Sequence, residues 1–187
     1  CYDESLMLKR LAIYPFIQLG VVVLFVLIAI FALFSAMRAE QNKVWVGRGE
    51  VPVYIYRSGW SSKDDSYFAI KGGHASTNHA HMDAGSFVYE KDGVRWAIDL
   101  GMHDYNRLEQ AGVDLWNRGQ ESGRWDVFRI GVQSHNVLTI NGKNHNVKGV
   151  AEITDHGETS KLKYVELDLT PTFKGQAEQV TRRAELD

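Results

Sequence analysis

The sequence predicts a mainly β protein, an incomplete antiparallel β-sandwich that is preceded by one transmembrane α-helix. Two observations support this prediction. Residues 11–37 contain no charged side chain, and from about Arg48 onward short segments alternate apolar and polar residues and are separated by turn dipeptides. The 187 residues therefore divide into an N-terminal flank (1–10), the membrane helix (11–37), a junction (38–50) and a truncated β-domain (51–187).

The uncharged run has the length and composition of a membrane span. About 20 consecutive apolar residues cross the hydrocarbon core of a bilayer, and the run lacks the polar face that a surface helix would have. Pro15 lies near its start, where a helix tolerates proline best. We expect a membrane-associated protein, and the alternative is a buried core helix. The flanking basic residues lean towards a cytoplasmic location for the residues that follow.

A first resemblance covers residues 8–47. Their sequence, LKRLAIYPFIQLGVVVLFVLIAIFALFSAMRAEQNKVWVG, resembles the membrane segment of certain bacterial sensor histidine kinases. The sequence that follows contains neither a phosphoacceptor-histidine helix nor an ATP-binding glycine motif. The resemblance therefore implies a membrane helix and does not imply kinase activity.

Beyond the junction, eight segments have the short alternating pattern of β-strands. Asp92-Gly93, between VYEK and VRWAID, predicts a tight hairpin; Asn141-Gly142 predicts a second turn and His156-Gly157 a weaker third. Tyr105–Gly119 lacks alternation and predicts a helix or a long loop. The predicted strands are Val51–Arg57, Ser66–Lys71, Ser86–Glu90, Val94–Leu100, Asn136–Asn141, Ala151–Thr154, Lys163–Leu169 and Gln176–Glu185.

The densest group of chemically versatile residues is NHAHMDAG, residues 78–85. His79, His81 and Asp83 are spaced at i, i+2 and i+4, which places all three on one face of an extended segment. Two imidazoles on one face can share a metal ion or a substrate. Hydrogen-bonded imidazoles in a polar loop explain the same pattern.

Two further positions could complete a metal site. Asp99 ends the apolar segment RWAIDLG, and His135 opens SHNVLTI. Two imidazoles and a carboxylate form a ligand set that zinc accepts, with water in the fourth position. Asn136 and Asp83 could then orient the imidazoles. A histidine at the start of a strand is also commonly a hydrogen-bonded edge residue.

A second resemblance covers residues 51–185. GGHASTNHAHMDAGSFVYEKDGVRWAIDLG and WDVFRIGVQSHNVLTINGKNHNVKG are similar to the C-terminal region of heparinase II/III-like polysaccharide lyases. The resemblance implies a structural zinc ion (Zn2+) held by His81, Asp99 and His135. It also places His79 at the substrate cleft as a catalytic residue. Asn78, beside it, would contact the sugar or its carboxylate.

The implied reaction is β-elimination on an acidic polysaccharide such as heparin or heparan sulfate. These lyases also use an N-terminal α-helical toroid, which supplies a catalytic tyrosine and another histidine. No such sequence occurs here, so we expect little or no activity without that missing domain. Tyr105 and Tyr67 lie near the motifs, and the sequence does not identify either as a replacement.

The net charge of the chain restricts its possible functions. The formal net charge of −2 offers no general basic field, which gives nucleic-acid binding little support. Arg124, Arg129 and Lys143 could contact sulfate or carboxylate groups, or could be solvated surface charges. Alternative functions are a non-catalytic, membrane-tethered carbohydrate-binding sandwich, an alginate-type lyase fragment and a membrane signalling protein.

The two resemblances disagree about location. A lyase works in the periplasm or outside the cell, where we expect the β-domain, whereas the kinase-like segment normally leads into the cytoplasm. A natural fusion and a misjoined chimera near residues 47–50 both account for the join.

Overall fold

The computed structural model describes residues 22–33, 43–159 and 162–187. Residues 22–33 form a helix, α1, in a unit distinct from residues 43–187, and its large apolar side chains are exposed. The predicted span at 11–37 lies partly outside the described residues. Within the parts of the chain that are described, no helix has both the length and the apolar character to cross a membrane. The span therefore stays a prediction.

The described part of the β-domain contains two antiparallel sheets and one α-helix. The first sheet has five strands in the order β1-β2-β3-β4-β5, and the second has three in the order β6-β7-β8. The elements are β1 (Val44–Gly47), β2 (Val53–Arg57), β3 (Tyr67–Lys71), β4 (Phe87–Lys91), β5 (Val94–Ala97), α2 (Tyr105–Gln110), β6 (Glu152–Glu158), β7 (Lys163–Asp168) and β8 (Thr181–Leu186).

The inner faces of the two sheets share one core, and the two antiparallel sheets confirm the predicted mainly β fold. Alternation along β2 buries Tyr54 and Tyr56, and alternation along β7 buries Val165 and Leu167. These side chains belong to one cluster, which also includes Phe173 from the short 3₁₀ turn after β7. A second cluster lies beneath the loops between β3 and β6, and it is the one that supports the candidate site.

The first predicted hairpin is confirmed. Asp92 and Gly93 have φ values of 55° and 71°, and they connect β4 to β5 directly where Lys91 pairs with Val94. Two consecutive left-handed residues give a two-residue turn the twist that antiparallel strands need, and Asp-Gly is a favoured pair for it.

Two predictions about strands and turns were wrong. The predicted strand Asn136–Asn141 is irregular in the structure. Side chains satisfy its carbonyls where a neighbouring strand would otherwise do so: Arg182 bonds the carbonyl of Asn136, and the ring of His145 bonds that of Leu138. The segment is only partly buried, so alternating apolar residues here do not mark a strand of a sheet.

The predicted turn at His156-Gly157 lies inside β6, which continues to Glu158 opposite Lys163 of β7. Gly157 pairs with Tyr164, whose ring occupies the space that a side chain at position 157 would need. This glycine therefore allows a close cross-strand approach within the sheet. The structure also adds β1, which falls in the predicted junction.

Replacing Leu167 with alanine should lower the free energy of unfolding by about 2–5 kcal/mol, because its fully buried side chain leaves a cavity between the sheets. Urea denaturation of the purified chain measures this loss. Leu100→Ala, at a leucine that is 38% exposed, is the control and should change stability by roughly 0.5 kcal/mol or less. Equal losses for the two variants would contradict the proposed core.

Candidate functional site

The loop that follows β3 carries the His-rich motif, and the burial of Met82 orients it. Met82 has no exposed surface, and its backbone N–H donates to the carbonyl of Ile130 at 2.8 Å. Because Met82 points into the second core cluster, its neighbours His81 and Asp83 point away from that cluster. The local sequence thus presents an imidazole and a carboxylate on the same side.

His81 and Asp83 meet His135, which follows a 3₁₀ turn at Val132–Ser134. The imidazole rings of His81 and His135 lie 5.2 Å apart between centroids. One ligand atom from each of His81, Asp83 and His135 lies within 4.8 Å of the other two. The three residues form a group that could hold a metal ion, and we call it the histidine group.

Asp99 contacts the histidine group through His135. Its carboxylate lies 2.7 Å from Nδ1 of His135 and accepts a second hydrogen bond from the backbone N–H of Gly101. Since an ionised carboxylate only accepts, Nδ1 carries a hydrogen, and in the neutral ring Nε2 then carries the lone pair. Burial alone would raise the pKa of Asp99, but these hydrogen bonds outweigh that effect and lower it.

The free nitrogen of His135 tests whether the group suits a metal. Its Nε2 atom is buried and has no hydrogen-bond partner among the described residues. A buried acceptor without a partner is costly, and coordination of a cation would satisfy it. A carboxylate behind a metal-binding imidazole is also a common arrangement, because it fixes the ring and its tautomer. The residues therefore fit a metal ion.

Which carboxylate would complete the ligand set is a separate matter. The sequence predicts Asp99, whereas the structure places Asp83 with the two imidazoles. Asp83 also pairs with the ammonium group of Lys71 at 2.7 Å. The assignment of Asp99 as a direct ligand stays a prediction, since in the structure it contacts His135 from the side of Nδ1.

Electrostatics favour the neutral form of His81. Burial lowers its pKa from the ordinary value of 6.5, and the cationic side chains of Arg124 and Lys71 contribute in the same direction. The nearby Asp83 opposes this shift without overcoming it. A metal ion binds neutral imidazole, so these surroundings keep His81 in the form that can coordinate one.

His79 does not join the histidine group. Its φ of 59° places it in the left-handed region, so the segment is not extended here and the predicted shared face breaks at this residue. The exposed ring of His79 stacks on that of Tyr105 with centroids 5.6 Å apart. A non-glycine residue held in this conformation stores strain, as residues at functional sites often do.

Trp116 completes an aromatic group with His79 and Tyr105. Its indole lies edge-on to both rings at centroid distances of 5.7 Å, and its N–H donates to Glu109 at 2.7 Å. Trp116 is 54% exposed, and Asn78 beside His79 is exposed as well. This aromatic group therefore presents ring faces, an imidazole and an amide to solvent.

Sequence reasoning missed most of this aromatic group. Tyr105 was considered but not assigned, Trp116 was not considered, and Tyr67 lies elsewhere, against Arg57. A cavity of about 410 Å³ near Glu50 and His74 includes none of the predicted site residues. A smaller cavity of about 180 Å³ includes Asp99, and Asn78, His79 and Trp116 are exposed on the surface.

Comparison with known protein families identifies the part of the chain that contains both groups. Residues 53–184 match the family model described as "Heparinase II/III-like, C-terminal". The match covers more than half of the chain and includes both the histidine group and the aromatic group. No curated protein matches the chain.

The metal-free protein should lose stability as the pH falls below 6.5. Burial lowers the pKa of His81 and of His145 from that value, so the unfolded chain takes up protons that the folded chain resists. The stabilisation is complete above pH 6.5 and declines until the folded pKa is reached. Thermal unfolding in a chelator, from about pH 7.5 to 5, measures this loss.

The matched variants are His81→Gln, which should weaken this pH dependence, and His156→Gln, which changes an exposed histidine and should leave it unaltered. A midpoint that stays constant over the whole range would contradict the assignment.

Proposed function

Since the chain belongs to the heparinase II/III-like family, we propose that it is part of a polysaccharide lyase that cleaves a uronic-acid-containing glycosaminoglycan, heparin-like or heparan sulfate-like, by β-elimination. The observation that carries this proposal is the exposed His79, held in a left-handed conformation and stacked on Tyr105. An imidazole and a phenol at one open surface are two groups that can exchange protons with a sugar near neutral pH.

The proposed chemistry begins at C5 of the uronate. A base removes the proton that is α to the carboxylate, negative charge develops on that carboxylate, and the C4–O bond then breaks. The departing oxygen needs a proton, and the product carries a C4–C5 double bond. Catalysis therefore requires a base, an acid and donors that neutralise the carboxylate as charge develops.

The aromatic group contains candidates for these tasks. We assign proton transfer or carboxylate neutralisation to His79, as the sequence analysis predicts, and substrate binding to the exposed amide of Asn78. The hydroxyl oxygen of Tyr105 accepts a hydrogen bond from Arg124 at 3.1 Å, which leaves its own hydrogen available to a leaving oxygen. We assign to Trp116 the face on which a sugar ring rests.

We also propose that the histidine group holds zinc through His81, His135 and one carboxylate, Asp83 or Asp99. Imidazole and carboxylate ligands of this number suit zinc and leave a position for water. When bound, the ion would cross-link the loop that carries His79 to the segment that carries His135, a structural role. No proton transfer to the sugar needs it.

A second candidate is a carbohydrate-binding sandwich without catalysis. The exposed face of Trp116 favours it, because aromatic rings bind sugars without any chemistry. An alginate-type substrate is a third possibility, since its uronates carry the same C5 proton and carboxylate. Attachment to a membrane through residues 11–37, with the β-domain in the periplasm or outside the cell, is a separate proposal supported by the uncharged run.

His79→Ala should reduce formation of unsaturated product by roughly 10²–10⁴-fold, because proton transfer by a positioned side chain contributes about that much. The assay follows the absorbance of the new double bond on heparan sulfate and on alginate. It is run with the chain alone and with a toroid domain from a family lyase added.

His103→Ala changes another histidine outside the histidine and aromatic groups and should retain activity. If no uronate polymer gives unsaturated product, with or without the toroid domain, the lyase proposal is rejected. Binding of oligosaccharide without turnover would favour the binding module.

The purified chain should bind about one equivalent of zinc, and His81→Ala or His135→Ala should abolish it. Metal analysis after dialysis measures the stoichiometry, and competition with a chromophoric chelator measures the affinity. Asp83→Asn and Asp99→Asn show which carboxylate binds the ion. Replacing a residue that only orients an imidazole should lower the zinc affinity by roughly 10–100-fold, and replacing the direct ligand should lower it much further. His156→Ala is the control. Protein without bound zinc would reject the metal proposal.

A further inference from the structure

Arg124 is buried, which contradicts the interpretation of this residue as a solvated surface charge. Only 1% of the residue is exposed, so it is not a solvated surface charge. It lies in the 3₁₀ turn Gly123–Asp126, and its own backbone N–H donates to the hydroxyl of the N-cap residue Ser122. None of the ion pairs found in the described part of the chain includes it. Burying a charge without a carboxylate partner is costly, so this residue calls for an explanation.

The guanidinium group bonds three separate segments. Nη1 donates to the carbonyl of Leu115 at 2.7 Å, and Nη2 donates to the carbonyl of Ala80 at 2.7 Å and to the hydroxyl of Tyr105 at 3.1 Å. Nε has no partner among the described residues. All three hydrogen bonds therefore come from the two terminal nitrogens of the guanidinium, whose fixed planar arrangement is specific to arginine.

Each acceptor lies at or beside a member of the aromatic group. Ala80 directly follows His79 and precedes His81, Tyr105 is itself a member, and Leu115 directly precedes Trp116. Ala80, Tyr105 and Leu115 lie 44, 19 and 9 positions before Arg124 in the sequence. No regular sheet or long helix connects them, so their relative placement depends on contacts such as these.

We propose that Arg124 is a positioning residue, whose buried guanidinium holds His79, Tyr105 and Trp116 in the arrangement that receives an acidic sugar. It does not touch the sugar itself. The role of the aromatic group in sugar binding rests on the proposed function, but the positioning by Arg124 can be tested without sugar or turnover.

Arg124→Lys tests the positioning because an ammonium group keeps the charge and cannot reproduce the fork. In the wild-type protein, the ring protons of His79 should resonate away from free-histidine values, because His79 stacks on Tyr105 and faces the edge of Trp116. In the variant these resonances should move towards free values, measured by NMR well below the unfolding midpoint. A residue that only stabilises the fold would lower the midpoint and leave these resonances in place.

Arg182→Lys is the matched control. Arg182 also donates to two backbone carbonyls, those of Gly85 and Asn136, but neither flanks the aromatic group. Its replacement should cost stability without moving the His79 resonances. Equal shifts in the two variants would overturn the proposal, as would unchanged resonances in Arg124→Lys.

Tyr105→Phe covers the case in which Arg124→Lys does not fold. It removes one acceptor, keeps the ring and leaves the buried charge bonded to two carbonyls. The His79 resonances should again move, and unchanged resonances would overturn the proposal.

Titration with a heparan sulfate oligosaccharide adds a functional measurement. Binding should weaken about tenfold in Arg124→Lys and remain unchanged in Arg182→Lys, since a misplaced site loses affinity without losing its groups. Unchanged affinity in Arg124→Lys, where the wild type binds, would also overturn the proposal. If the wild type binds no uronate oligosaccharide, the proposed function fails, and the NMR comparison still decides the role of Arg124.

Discussion

The burial of Met82 is the constraint on which the candidate site depends. A single apolar side chain, anchored in the second core cluster and tied by its backbone to Ile130, determines the direction of the residues on either side. His81 and Asp83 then face outward together, where His135 and its partner Asp99 meet them. The site is thus built from the packing of a core residue and needs no regular strand at the motif itself.

The two histidines of the motif belong to different groups of residues. Ala80 separates His79, which belongs to the aromatic group, from His81, which belongs to the histidine group, and the left-handed conformation of His79 makes that separation possible. The carbonyl of Ala80 is held by the buried guanidinium of Arg124. The histidine group, which fits a metal ion, and the aromatic group, which we propose contacts the substrate, therefore share a single short loop.

Alternation predicts strands well where both neighbours of a segment are strands, as for β2, β3 and β7, because burial on one face of a sheet imposes period two on the sequence. It fails at Asn136–Asn141, where the side chains of Arg182 and His145 satisfy the backbone. Turn dipeptides likewise predict a turn at some positions and fail at others. Asp92-Gly93 is a turn, whereas Gly157 in β6 makes room for Tyr164.

The sequence by itself determined the class of fold, the first hairpin and the residue types that could bind a metal or transfer a proton, because these follow from local periodicity and side-chain chemistry. Only the tertiary structure decided that Asp83 joins the two imidazoles, that Tyr105 stacks on His79, and that Arg124 is buried beneath them. The reason is physical. Asp99 and His135 are 36 positions apart, and Ala80 and Arg124 are 44 apart. Their contact depends on how loops pack over a core, which no local pattern encodes.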